Sequence, residues 1–278
     1  MFIFETISQV RQFVHEKKRD GLTIGFVPTM GCLHRGHEAL IKRSAEENDI
    51  TVVSIFLNPS QFSCQKDLER YPRTWENDKS IAEAAGATVI FAPDESEIYP
   101  DGYQTWVDVS ELSKPLCGQY RSGHFTGMAT IVLKLFHITD PDRAYFGQKD
   151  YQQIRIVKQM VADLNMEMEV VCCPTVREPG GLALSSRNNH LTPDQKNRAA
   201  AIYEALMEAV DSFDIGISNA NVLKNQITQS LIKAGLEVEY VEILDAVRLT
   251  TISNVQKGTV MAVAAYMGET RLIDNILI

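Results

Sequence analysis

Two histidines three positions apart, with a glycine just before the second, mark the stretch best equipped for chemistry: Pro28-Thr29-Met30-Gly31-Cys32-Leu33-His34-Arg35-Gly36-His37. It follows an apolar run and precedes a helical pattern. In an open α/β sheet, such a strand–turn–helix brings a helix N-terminus to the carboxyl end of a strand, where anions are favoured. Two imidazoles beside exposed N–H groups suit charge that accumulates on a reacting phosphate. Gly31 permits a tight turn or a close approach, and Gly36 removes a side chain between the two rings. The plain alternative is a glycine-containing turn carrying two surface histidines. A zinc site fits less well, because the metalloprotease pattern spaces its histidines four apart around a glutamate.

Three further loops carry polar groups. Asn58-Pro59-Ser60-Gln61-Phe62 follows an apolar strand pattern, and its two amides can bond a small polar substrate, although Asn-Pro also opens ordinary turns. Tyr145-Phe146-Gly147-Gln148-Lys149-Asp150-Tyr151-Gln152-Gln153 is again strand, glycine, helix. Lys149 stands where a helix dipole disfavours a cation, so it needs an anionic partner or solvent. Asp150 is placed to cap the helix, and Gln153 lies one turn on. Gly123-His124-Phe125-Thr126-Gly127 either lines the same mouth or starts a helix. Leu184-Ser185-Ser186-Arg187 after Gly180-Gly181 offers hydroxyls and a guanidinium, a set suited to polyphosphate or simply a serine-rich linker. Neither Gly-x-Ser-x-Gly nor a Walker sequence occurs. The chemistry expected is transition-state stabilisation at phosphorus, without a covalent side-chain nucleophile.

Elements that could hold these loops alternate through the first two thirds. Helical spacing is expected over Thr6–Arg19, Gly36–Glu47, Trp75–Ala85, Gly127–Ile138 and Tyr151–Leu164. Strand runs are expected at Leu22–Val27 (ending at Pro28), Ile50–Leu57, Thr88–Ala92, Arg143–Phe146 and Met168–Cys173. Repeated β-then-α order predicts an α/β fold, a parallel sheet with helices on both faces. Beyond about residue 190, helices at Pro193–Ser212 and Ser218–Ala234 precede strands at Val238–Leu244, Thr259–Tyr266 and Arg271–Ile278. That order predicts a small α+β unit, with division into residues 1–184 and 185–278.

Composition bounds the partners. The 278 residues carry a formal charge of −9, with 19 basic against 25 acidic residues in 1–184 and 8 against 11 in 185–278. Neither part is a basic arm, which argues against broad binding to nucleic acid. The five cysteines, Cys32, Cys64, Cys117, Cys172 and Cys173, are odd in number and form no C-x-x-C. A reducing cytoplasm is the expected setting, with Cys172 and Cys173 as buried strand thiols. The N-terminal residues lack a signal-peptide pattern, and no apolar stretch is long enough to span a membrane.

The loops together carry a resemblance. His34-x-Gly36-His37 resembles the HIGH-type signature of the nucleotidylyltransferase superfamily, which includes class I aminoacyl-tRNA synthetases, and Ser185-Ser186-Arg187 resembles its KMSKS-type partner loop. With Asn58–Phe62, Arg70-Tyr71-Pro72-Arg73, Gly123–Gly127 and Gly147–Gln153, the ordered set is similar to the pantoate–β-alanine ligase family over nearly the whole chain. The resemblance implies a Rossmann-like N-terminal domain, a small C-terminal lid domain and a homodimer. It also implies joining of (R)-pantoate to β-alanine with ATP and Mg²⁺, through a pantoyl adenylate. By position it assigns ATP to Met30, Gly31, Cys32, Leu33, His34, Arg35, Gly36 and His37, to Gly147, Gln148, Lys149 and Asp150, and to Val176, Leu184, Ser185, Ser186 and Arg187. Pantoate and β-alanine fall to Gln61 and Gln153, and catalysis to His37, His34 and Lys149. Metal ligands are not assigned. Cys32 stands where alanine is frequent in the family, and Gln119-Tyr120-Arg121-Ser122 departs from a usual proline-containing stretch, so Arg121 receives no role. A tRNA-charging relative and a catalytically silent nucleotide-binding protein are the competing readings; the acidic charge opposes the first, and the intact cationic loops oppose the second.

Overall fold

The computed structural model describes residues 1–62 and 65–278, so Cys64 lies outside the described residues. The first unit contains β1 (Phe2–Phe4), α1 (Ile7–Arg19), β2 (Ile24–Thr29), α2 (Arg35–Glu47), β3 (Ile50–Ile55), α3 (Gln65–Arg70), α4 (Trp75–Ala84) and β4 (Val89–Phe91). It continues with α5 (Glu95–Ile98), α6 (Cys117–Tyr120), α7 (His124–Thr139), β5 (Arg143–Gly147), α8 (Tyr151–Asp163) and β6 (Glu169–Cys173). The chain ends with α9 (Pro193–Ala199), α10 (Ala201–Asp214), α11 (Ala220–Lys233), β7 (Glu237–Asp245), β8 (Thr259–Met267) and β9 (Thr270–Leu277).

The six-stranded sheet is parallel throughout, in the order β1-β4-β3-β2-β5-β6. Side-chain alternation divides its faces. Phe26, Val52, Phe91 and Phe146 join α1, α7 and α8 in one core, while Val27, Val53, Ile90 and Tyr145 join α2 and α4 in another. Burial on both faces explains why these strands read as unbroken apolar runs. The chain grows outward from β2 through β3 to β4, then returns to place β5 on the other side of β2. That reversal is the switch point at which open α/β sheets bind ligands.

Pro28 does not end β2, as the sequence pattern suggested. The strand runs on to Thr29, paired with β3 through Pro28↔Ser54 and Thr29↔Ile55. Toward β5, pairing stops at Phe26↔Ala144. The proline nitrogen faces that side and has no hydrogen to donate. The two strands therefore part where the crevice opens.

Other expected elements shift by a few residues. The predicted helix over Pro193–Ser212 is two helices separated at Ala200, where Tyr203 N–H bonds the Ala200 carbonyl in a tighter turn. Three short helices, α3, α5 and α6, and the edge strand β1 lack a periodic signature because each spans six residues or fewer. Of the vicinal thiols, Cys173 is buried but Cys172 is only half-buried, since β6 is an edge strand.

The antiparallel sheet β7-β8-β9 serves two cores. Met261, Val263 and Ala265 of β8 face α10 and α11, whereas Val260, Ala262 and Ala264 join the core that contains α7 and α8. The C-terminal unit is therefore seated on the parallel-sheet unit by an apolar face. Tyr151 OH to the Ala246 carbonyl, at 2.7 Å, adds a polar tie.

Candidate active site

His34 is the N-cap of α2, and its Nδ1 accepts from Gly36 N–H at 3.1 Å. His37 Nδ1 accepts from His34 N–H at 3.3 Å, and the rings stack with centroids 4.1 Å apart. A backbone amide can only donate, so each Nδ1 is bare and each neutral ring carries its proton on Nε2. Burial, reinforced by Lys149, lowers the His34 pKa to about 4, and burial with His34 and Lys149 lowers that of His37 well below its ordinary value. The pair is a set of neutral Nε2–H donors at pH 7, half-buried rather than freely exposed. Gly36 makes the stack possible, since a Cβ there would lie 2.8 Å from His34 Cε1.

Asp78 holds the loop below them. Its carboxylate, 1% exposed, accepts Cys32 N–H at 2.9 Å, Leu33 N–H at 2.7 Å and Thr74 Oγ1 at 2.9 Å. These bonds fix a segment whose Gly31 and Cys32 adopt positive φ of 81° and 51°. Cys32 and Leu33 consequently turn their side chains into the interior.

Asn58 is buried and supports Gln61. Its Nδ2 reaches Gln61 Oε1 at 3.1 Å and the Gly127 carbonyl at 3.2 Å, while Oδ1 accepts from Ser60 and Tyr99 hydroxyls. The contact requires glycine in α7: a Cβ on Gly127 would meet the Ser60 carbonyl oxygen at 2.3 Å. Gln61 then directs Nε2 toward Met30 Sδ. Asn58 is thus a support for the recess rather than one of its free amides.

At the end of β5, Lys149 Nζ pairs with Asp150 at 3.3 Å. Asp150 occupies the cap position of α8, but its side chain does not cap the helix; the carboxylate is taken by Lys149. The C-terminal sheet clamps this turn, with Asn275 Nδ2 donating to the Gln148 and Lys149 carbonyls at 2.9 and 3.0 Å. Asn275 is held in turn by its neighbour Asp274, which pairs with Arg177. Asn275→Ala is expected to cost about 1–3 kcal/mol of stability by stranding carbonyls. It should also speed amide exchange at residues 147–151 and leave 34–37 unchanged. Denaturant titration and hydrogen exchange check both; uniform acceleration along the chain would reject the local role.

Ser185, Ser186 and Arg187 arrive from the connection between the units. Ser185 Oγ accepts Arg187 N–H, Ser186 reaches Tyr71 OH, and Arg187 pairs with Asp67 at 3.2 Å. Across from them, His124 Nδ1 lies 2.7 Å from the Gln61 carbonyl, which only accepts, so Nδ1 donates and Nε2 is left to accept from Arg121 at 3.1 Å. Burial, helped by Arg121, lowers the His124 pKa to about 4. Gly123–Gly127 both begins α7 and lines the mouth.

These groups surround a recess of about 220 Å³ that includes Met30, His34, His37, Gln61, Gln153 and Lys149. It also receives Gly36, Gly147, Asp150, Val176, Leu184 and Ser185–Arg187. Lys149, Asp150, Gln153 and Ser185–Arg187 also border a cleft of about 730 Å³ between the units. Among the residues expected at the site, Gly31, Cys32, Leu33, Arg35 and Gln148 line neither space: Arg35 is exposed, and Gln148 turns to Asn275. Sequence reading left Arg121, His124 and Tyr71 without roles; only the fold brings them beside Gln61 and Ser186. Among the described residues, no group of three or more His, Cys, Asp or Glu could cage a metal.

A switch-point crevice in a parallel sheet, with an imidazole pair at a helix start and a Ser-Ser-Arg loop bordering the same recess, is the arrangement of an α/β protein built to hold an anionic ligand. The family model described as Pantoate-beta-alanine ligase matches residues 2–277. The pantothenate synthetase of Sulfurihydrogenibium sp. (strain YO3AOP1) is 50% identical over 278 residues, covering 99% of both chains. The crystal structure of pantothenate synthetase from Thermus thermophilus superposes with a TM-score of 0.94 at 40% identity, covering 100% of this chain and 99% of that one. That of the Francisella tularensis ligase, complexed with "Beta-gamma ATP and Beta-alanine", gives 0.83 at 38% identity, covering 100% and 97%. The chain belongs to the pantoate–β-alanine ligase family, and is an enzyme of pantothenate biosynthesis.

Proposed function

We propose that this ligase works in two steps at the shared recess, first forming pantoyl adenylate from pantoate and ATP, then transferring the pantoyl group to β-alanine. The observation that carries the reading is the convergence of neutral imidazole donors, Lys149 and Ser185–Arg187 around the space that Gln61 and Gln153 border. Met30, His34, Gly36 and His37, with Gly147, Lys149, Asp150, Val176 and Leu184–Arg187, border the recess and take the nucleotide, while Gly31, Cys32, Leu33, Arg35 and Gln148 shape the loops that carry them; Gln61 and Gln153 take pantoate and β-alanine. A carboxylate with a pKa of about 4 is already ionised at pH 7 and needs no general base. Its oxygen bonds to the α-phosphorus as the bond to the β-phosphate oxygen breaks and pyrophosphate leaves. His34 and His37 donate Nε2–H bonds to the charge that develops there, and Lys149 and Arg187 exchange their carboxylate partners for phosphate oxygens.

Mg²⁺ belongs to the same proposal. The donor set fits a cation carried largely by phosphates and water, which needs only one or two carboxylates, and Asp150 borders both spaces. Asp78 is already committed to the loop. When bound, Mg²⁺ would neutralise phosphate charge. Residues 1–184 form the reacting unit and 185–278 its cover. The apolar seat of β8 favours closure by the 176–187 connection rather than by swinging the whole sheet. A homodimer and a cytoplasmic setting complete the proposal, as what the family resemblance implies. The net charge of −9 supports small-molecule rather than nucleic-acid partners, and no helix among the described residues is long and apolar enough to cross a membrane.

Isotopic pyrophosphate exchange into ATP tests the order. Exchange that depends on pantoate and proceeds without β-alanine is expected. Pantothenate synthesis in an enzyme that never exchanges would overturn the two-step route.

A further inference from the structure

Three guanidinium groups approach one another where the cleft meets the recess. Arg187 is matched by Asp67 at 3.2 Å, and Arg271 by Glu239 at 3.0 Å. Arg121 lies near both, borders both spaces, and is half-buried. Among the described residues its side chain has one hydrogen-bond partner, His124 Nε2, and no carboxylate within ion-pair reach. That partner is neutral, because its Nδ1–H donates to the Gln61 carbonyl while its bare Nε2 accepts from Arg121. Asp67 is the nearby carboxylate, but it lies beyond ion-pair reach of Arg121 and is already paired with Arg187. A partly desolvated guanidinium that meets two like charges and whose hydrogen-bond partner is a neutral imidazole is incomplete without an anion.

We infer that Arg121 binds the carboxylate of β-alanine and makes the second step selective for an amine that carries an acid group. The inference rests on the two-step reading above. Other anions are accounted for at that site. Pantoate's carboxylate is the attacking group and becomes an acyl phosphate, so a guanidinium fork on it would blunt the nucleophile. The phosphates face Lys149, Arg187 and the serines. β-Alanine's carboxylate stays charged from substrate to product and suits a fork with free N–H groups.

The His124 bridge ties Arg121 to the backbone of Gln61, so acceptor and pantoyl group share one support. The cation also favours the uncharged form of the nearby amine. In the step itself the amine nitrogen bonds to the acyl carbon, the carbon–oxygen bond to phosphate breaks, AMP leaves with that electron pair, and the surplus ammonium proton passes to water. His124 is a positioning residue in this arrangement.

The test compares wild type, Arg121→Ala and Arg121→Lys in three assays. These are pantoate-dependent pyrophosphate exchange without β-alanine, kcat/KM for β-alanine, and kcat/KM for 3-aminopropan-1-ol, which lacks the carboxylate. For Arg121→Ala, exchange should stay within about threefold and aminopropanol use likewise, while kcat/KM for β-alanine falls about 30- to 1000-fold, the scale for losing one partner of a desolvated ion pair. Arg121→Lys should recover part of that loss. Equal losses with the two amines, or an equal loss of exchange, would overturn the assignment. So would a wild-type enzyme that fails to prefer β-alanine over aminopropanol by at least about tenfold, a result independent of any variant's folding. Absent exchange in wild type would instead reject the two-step reading.

Discussion

Replacing His37 by alanine is expected to lower kcat by about 10²- to 10³-fold, the scale for removing one preorganised donor aimed at developing charge. The side chain has two jobs. Its Nδ1 accepts the His34 amide and completes the capping box, and its Nε2–H is the donor that the proposed mechanism aims at the α-phosphate. Alanine removes both, whereas asparagine retains an acceptor for the cap and should lose less stability for a similar loss of rate. Steady-state kinetics beside denaturation curves separates the two effects. Wild-type turnover in a folded His37→Ala protein would reduce the residue to a cap.

The neutral tautomers set the pH response. His34 and His124 have folded pKa values near 4 against about 6.5 when unfolded. The unfolded chain therefore binds more protons between those values, and stability falls as pH drops from 6.5 toward 4. Turnover should show no limb near 6.5 from the His34–His37 pair. A kinetic pKa there that vanishes in His37→Ala would mean that an imidazolium does the work.

Asp78→Ala is expected to cost about 2–6 kcal/mol, because two buried backbone donors, Cys32 N–H and Leu33 N–H, lose their acceptor at about 1–3 kcal/mol each. The positive-φ turn at Gly31–Cys32 then relaxes, and the start of α2 moves with it. Thr74→Val, which removes only the hydroxyl donor, should cost about 1 kcal/mol and leave activity nearly intact. Urea denaturation of both variants provides the comparison. A loss below 1 kcal/mol in Asp78→Ala would show that water replaces the carboxylate and that it does not clamp the loop.

The parts of the fold legible in sequence were those with long periodic signals. The alternation of β2 through β6 with α2, α7 and α8 followed from apolar runs bounded by Gly, Pro and polar turns. Short elements such as α3 and β1 carried too few residues for a period to register. The histidine pair, Lys149 and Ser185–Arg187 stood out in sequence by residue type and spacing, and the fold brings them around one recess.

Their partners were not legible. Asp78 bonds a loop some 45 residues away, Asn275 reaches the Gln148–Lys149 turn across 127 and 126, and Arg121 meets Gln61 only through His124. Such pairings depend on which strand ends lie side by side, information carried by sheet order and not by local pattern. The glycines show the same division: Gly36 and Gly127 are visible in the sequence, but their need is set by His34 and by the Ser60 carbonyl.

By itself, then, the sequence determined the α/β class, the polar loops that converge on the recess and the acidic balance, because each is written in residue type and short-range spacing. Tertiary structure decided the proton positions on three imidazoles, the commitment of Asp78 and Asn58 to support, and the one arginine of three left without a carboxylate among the described residues. Those are outcomes of burial and distance, and a hydrogen bond or ion pair has a direction only once both partners are in place.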